Sequence, residues 1–253
     1  MQRPMIANSG GNEWGGLCGG EAGDQTGREW CVREWYSCPW LVVLRHPDQR
    51  LAQEFAYLAR RAAGNEHIGY NQLNRLSFWE ALEETGTYDP ADISTACDDD
   101  CSAGVTACVK AAGIRLGYGE VASLDPATYT GNMRERFASV GFEELEKARY
   151  TESESFLYPG DVLLRDGSHV AMNLDLGYLA EGWDPEGNDI VNDNQNKALM
   201  ELLRTDDPTG RGCTGSTPVE RIAWLGKKTD EILKNQETLE GKLDKVLAAL
   251  DAE

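Results

Sequence analysis

The chain of 253 residues is short of several things, and each shortage excludes something. It has no run of 18 apolar residues, so no segment reads as a membrane span. The longest apolar patch near the start, Trp40 to Leu44, is far too short. The opening MQRPMIANSGG lacks the apolar stretch of a secretory signal, so action outside the cytoplasm would need another route of delivery. Positive charge is also scarce. Against 43 acidic side chains stand 24 basic ones, a net charge of -19. A polyanion would be repelled, which argues against nucleic acid and against simple electrostatic adhesion to anionic membranes or wall polymers. The three histidines are scattered and the seven cysteines form no CxxC pair, so neither a zinc site nor a cofactor is expected. The acidic stretch from Asp184 to Asp189 lacks the ligand spacing of a calcium loop. An odd number of cysteines leaves at least one thiol free or paired between chains, and a reducing compartment fits best.

What is present divides into three parts. Residues 1–30 are glycine-rich and read as loop with at most a short strand, and Trp30 to Leu44 reads as a strand pair broken at Pro39. Pro47 and Asp48 open a helix carried by Leu51, Phe55, Leu58, Ala59 and Ala62 and closed by Gly64 and Asn65. Residues 71–84 read as a second helix, Cys101 to Ala112 as a third ended by Gly113, and Met133 to Ala138 as a short fourth. From Tyr158 the pattern changes to strands: Val162 to Leu164, His169 to Leu174 and a third over 178–183. Helices first and an antiparallel sheet second predict an α+β domain over residues 1–183. A polar connector spans 184–217. Residues 218–253 carry Ile222, Leu225, Ile232, Leu239, Leu243, Val246 and Leu250 in alternating steps of three and four, with Thr229 and Gln236 as polar members. That is a heptad seam, and it predicts a coiled coil and a homo-oligomer.

Two segments carry chemistry. In TACDDDCSAGVTACVKAAG, residues 95–113, Cys101 stands at a predicted helix start. Free N–H groups and the partial positive charge there would stabilise a thiolate and could hold an oxyanion. Asp98, Asp99 and Asp100 oppose this unless they point away or cap the helix. Taken alone, a cysteine is more often buried and inert. In PGDVLLRDGSHVAMNL, residues 159–174, His169 begins a strand after a tight turn. A Cys–His pair needs such a long-range meeting rather than adjacency in sequence. His46 and His67 read as structural.

Together these segments resemble the NlpC/P60 superfamily of cell-wall cysteine peptidases and amidases, over roughly residues 19–183. GGEAGDQTGREWCVREWYSCPWLVVLR at 19–45, IGYNQLNR at 68–75 and TGNMRERF at 130–137 are similar to segments of phage endolysins in that group. The resemblance implies a papain-like fold, Cys101 as nucleophile, His169 as base and Glu181 as the third polar residue, where the family often has His, Asn or Gln. It further implies Tyr70 beside the nucleophile, with Tyr70 and Ser102 serving the substrate or the oxyanion. Ala103 and Gly104 depart from the family pattern, and Gly104 would let a substrate backbone approach closely. The implied activity is hydrolysis of an amide in bacterial peptidoglycan, by an endopeptidase cutting next to D-glutamate or an amidase cutting muramic acid from L-alanine. Release through a holin pore or carriage on a virion would fit a chain without a signal peptide. A rival reading is a non-catalytic wall-binding or phage assembly protein oligomerised by the coiled coil.

Overall fold

A computed structural model describes residues 3–23 and 29–185. The strands are β1 (Met5–Ser9), β2 (Trp30–Glu34), β3 (Val42–Arg45), β4 (Ile68–Tyr70), β5 (Cys97–Asp99), β6 (Glu143–Leu145), β7 (Val162–Arg165) and β8 (His169–Asn173). The helices are α1 (Gln49–Ala62), α2 (Ser77–Glu84), α3 (Cys101–Leu116), α4 (Gly119–Ala122), α5 (Met133–Ala138) and α6 (Ala148–Thr151). Six strands form one antiparallel sheet in the order β2-β1-β8-β7-β3-β6, and β4 with β5 forms a separate parallel pair. The architecture is therefore α+β, as the sequence pattern predicts. Among the described residues no helix is long and apolar enough to cross a membrane.

The sheet is amphipathic by alternation, because side chains one residue apart point to opposite faces. Ala7, Val42, Leu44, Val162, Leu164, Val170 and Met172 face the helices and join one core with Leu51, Phe55 and Leu58 of α1 and Val105, Cys108 and Val109 of α3. Ile6, Val43, Leu163 and Ala171 face the other way and pack under Trp35, Trp40 and Leu157. The aspartate of PGDVLL closes the sheet's end: Asp161 takes two hydrogen bonds from Arg45, at 2.8 and 2.6 Å, and a third from the Tyr158 N–H.

Several expectations need correction. The segment 30–44 does contain two strands, but β2 and β3 do not pair with each other. They lie in different parts of the sheet, with β1, β8 and β7 between them. The sheet is thus assembled from both ends of the domain rather than from its second half. The first residues supply β1, an inner strand, because Ile6 and Ala7 are both buried between two neighbours. The second helix starts at Ser77, not at residue 71; Asn71 and Asn74 instead make a turn. The third helix runs through Gly113 and ends at Gly117, whose φ of 78° is the left-handed conformation that closes a helix. Gly113 sits in the interior because Ala122 and Val121 approach there: a Cβ would lie 2.6 Å from the Ala122 nitrogen. Residues 178–183 form no strand. The predicted coiled coil and nearly all of the connector lie outside the described residues.

Gly104 is likewise structural. A Cβ there would stand 1.7 Å from Trp30 Cζ3 and 2.2 Å from Asp99 Oδ2. The space beside it holds the indole of Trp30, which is buried and donates Nε1–H to the Ala59 carbonyl at 2.9 Å. No substrate backbone can enter. Gly104→Ala should therefore destabilise the fold by about 3 kcal/mol despite the better helix propensity of alanine, because overpacking outweighs it. A shift of the urea midpoint to higher concentration would contradict this packing.

Candidate functional site

The site forms where a strand ladder stops. β1 and β2 are joined over five residue pairs, from Met5↔Glu34 to Ser9↔Trp30. β1 and β8 are joined over only two, Ile6↔Asn173 and Ala7↔Met172. Beyond Ala7 the two central strands no longer pair, and Asn8 on one side and Val170 on the other are released from the ladder. The N–H of Val170 lies close enough to the sulfur of Cys101, the first residue of α3, to favour its thiolate. Cys101 is 7% exposed, so the sulfur is nearly enclosed at this opening. Its partner is this main-chain N–H rather than the imidazole of His169, the residue that precedes Val170.

His169 shares a sheet face with Ala171 and Arg165. Its Nε2 lies 2.8 Å from Asn8 Oδ1, and the Tyr36 hydroxyl donates to the same oxygen at 3.0 Å. Trp40 stacks on the imidazole with centroids 5.9 Å apart and planes 25° from parallel. A carbonyl oxygen only accepts, so the bond assigns the proton to Nε2 and leaves Nδ1 as the basic nitrogen. Burial lowers the imidazole's pKa from 6.5, and the charges of Arg165 and Arg33 lower it further. Burial and Asp100 push the Cys101 thiol up to about 12, against the smaller stabilisation from the Val170 and Ser102 N–H groups. At neutral pH the resting state is a neutral thiol with a neutral imidazole. Where the sequence suggested a helix N-terminus that lowers this thiol's pKa, burial of the nearly enclosed sulfur and the neighbouring Asp100 raise it.

The three aspartates before Cys101 are each spent on structure. Asp100 is the N-cap of α3. Its Oδ1 accepts from the N–H groups of Ser102 and Ala103 at 2.9 and 2.7 Å and from the Ser102 hydroxyl at 2.7 Å. Arg75 donates to Asp100 Oδ2 at 3.0 Å and to Ser102 Oγ at 3.1 Å, and binds the carbonyls of Ala127 and Thr128. Ser102, expected to serve substrate or oxyanion, is thereby built into the cap, 3% exposed. Asp98 accepts from Asn74 and, through its N–H, donates to Ser77. Asp99 is fully buried behind α3 and accepts a hydrogen bond from Ser9 at 2.8 Å.

Tyr70 ends β4 opposite Asp99, with its hydroxyl accepting from Gln72 at 3.3 Å. Burial raises its pKa, and Cys101 and Asp100 are close enough to raise it further. Tyr36, pushed up to about 12 mainly by burial, also senses Cys101, Cys38 and Cys31. Cys101 and Ser102 head α3, Tyr70 is close enough to Cys101 to sense its charge, and His169 starts β8 next to Val170. Glu181 lies elsewhere on the chain's exposed surface after β8, where its backbone carbonyl accepts from the Tyr158 hydroxyl. Cys31 stands opposite Asn8 across β1 and β2, which accounts for its place beside the site. Cys97 is buried on β5, its thiol pushed up to about 12 by burial. Of the GDQTG segment only Gly23 is among the described residues. Asn8 and Tyr36 escaped the sequence reading. The available signal for Asn8 was a buried strand, Met5 to Ser9, ending in an amide just before Gly10 and Gly11.

Asp99 gives a test of this electrostatic arrangement. Burial holds its pKa well above 3.8, so the folded state keeps a proton that the unfolded chain releases. Its contribution to stability is full below about pH 4 and is lost as pH rises through the folded value. Asp99→Asn keeps the acceptor for Ser9 and removes the titration. Its stability should fall less than that of the natural chain between acidic and neutral pH. Equal slopes in denaturant midpoint against pH would refute a protonated Asp99.

A family model described as an endolysin-like domain matches residues 6–180, well over half of the chain. The chain matches no curated protein and no solved structure. The matched span begins at β1 and runs past β8, so it takes in Asn8, Tyr70, Cys101 and His169. By that match this chain belongs to the endolysin-like domain family.

Proposed function

We propose that this chain is a peptidoglycan hydrolase of the cysteine type, with Cys101 as nucleophile, His169 as base and Asn8 as the residue that orients the base. Membership of an endolysin-like family supports the substrate, bacterial peptidoglycan. The single observation that carries the catalytic assignment is the hydrogen bond between His169 Nε2 and Asn8 Oδ1 beside the sulfur's opening. It sets the tautomer with Nδ1 unprotonated, the logic of a Cys–His–Asn triad. Asn8 fills the place for which the resemblance offered Glu181.

In this reading Nδ1 of His169 takes the thiol proton as the sulfur attacks a stem-peptide amide carbonyl. The C–N bond then breaks, and the imidazolium gives its proton to the leaving amine. Water, deprotonated by the same nitrogen, hydrolyses the thioester and restores the thiol. Because Asp100 occupies the N–H groups of Ser102 and Ala103, the oxyanion is held by the Cys101 N–H and the Tyr70 hydroxyl. The high thiol pKa means that proton transfer accompanies attack instead of preceding it. The NlpC/P60 type and a papain-like arrangement agree with a helix-borne cysteine against an antiparallel sheet. Either an endopeptidase or a muramoyl-alanine amidase fits, and mass spectrometry of digested wall identifies the bond. We further propose that residues 184–217 link the catalytic domain to a self-associating helix over 218–253.

Cys101→Ala should abolish wall lysis, measured by turbidity, while circular dichroism stays unchanged; lysis by that variant would end the mechanism. Asn8→Ala frees the ring and should lower kcat/KM on the order of 10²-fold. In the natural enzyme the acid limb of the rate profile should fall below pH 6.5, since a base of lowered pKa stays unprotonated to lower pH. A limb well above that value would refute His169 as the base. For the seam, Leu239→Asp should convert the full chain to a monomer in light scattering if the helices associate there.

A further inference from the structure

The same site carries two cations that the mechanism does not use. Arg165 is the direct cross-strand partner of His169 in the β7–β8 ladder, so both side chains stand on one face. Paired residues of this kind have Cβ atoms about 5 Å apart. Arg33 stands on β2, on the opposite side of β8 from β7 in the strand order. Its guanidinium lies 4.6 Å above the centre of the Tyr36 ring, and the Tyr36 hydroxyl shares Asn8 Oδ1 with His169. Both arginines are exposed, and His169 feels the charge of both. Seven other arginines, among them Arg45, Arg75 and Arg134, are ion-paired. Among the described residues no carboxylate lies within ion-pair distance of Arg33 or Arg165, in a chain of net charge -19.

Two unpaired cations flanking a base weaken it, because each opposes its protonation. An anion bound between them would cancel that penalty and be held by planar donors suited to a carboxylate. We propose that Arg165 and Arg33 form a subsite for a free carboxylate of the stem peptide, placed on the His169 side of the scissile amide. This rests on the reading of the site as a wall-amide hydrolase and names what it selects. Peptides that carry a carboxamide at that position bind weakly, and those that carry a carboxylate both bind and restore the proton affinity of His169.

The test compares two purified stem-peptide fragments that differ only in a free carboxylate or its carboxamide, with the full-length enzyme. The natural enzyme should favour the carboxylate by about tenfold in kcat/KM, mostly through KM. Arg165→Gln and Arg33→Gln should each shrink that ratio, the double variant should bring it close to one, and Arg165→Lys should keep part of it. A ratio within one enzyme is insensitive to any change in the base itself. Absence of a preference in the natural enzyme, or its survival in the double variant, overturns the subsite. Turnover of either fragment by Cys101→Ala would instead overturn the underlying mechanism, so the two failures are distinct.

Discussion

The site depends on a ladder that stops early. Two strands at the centre of a sheet ordinarily satisfy each other's main-chain groups along their full length. Here β1 and β8 pair at Ile6 and Ala7 and then part. A released N–H at Val170 must find a partner, because an unsatisfied buried donor costs about 1–3 kcal/mol. The group it faces is the Cys101 sulfur at the mouth of α3, whose thiolate it favours. The same parting leaves room on the other face for the Asn8 amide to meet the His169 ring. One local break in pairing therefore serves a helix-borne thiol through Val170 and a strand-borne imidazole through Asn8, although the two are 68 positions apart in the chain.

Electrostatics around this opening favour neutral partners. A lone acidic tract beside a nucleophile would be a hindrance, yet Asp98, Asp99 and Asp100 are each absorbed into structure. Asp100 caps α3 and is held by Arg75, Asp99 is buried with Ser9, and Asp98 fastens the Asn71–Asn74 turn through Asn74 and Ser77. What remains to act on the sulfur is chiefly desolvation. Enclosure also shields the imidazole, which Trp40 covers on one side.

Gly104 and Ser102 show how local residues can mislead when read without their neighbours. A glycine in the first turns of α3 suggests an approach for substrate, but the space belongs to Trp30. A serine beside Cys101 suggests catalysis, but its hydroxyl completes the cap with Asp100 and Arg75. Both assignments follow from contacts with segments far away in sequence.

The sequence by itself determined the elements with strong periodic patterns or clear punctuation: α1 from its Asp48 cap and apolar stripe, α5, β7 and β8, and the start of α3 at Cys101. It also singled out Cys101 and His169, because a cysteine at a helix start and a histidine at a strand start have recognisable chemistry, while Tyr70 came only from the family resemblance. Only the tertiary structure decided which strand runs beside β8, and hence that Asn8, 161 residues earlier, meets His169. The physical reason is that strand pairing is a long-range choice. Hydrophobic alternation says that β1 is a strand and which face it buries, but not which neighbour it takes or where that pairing ends.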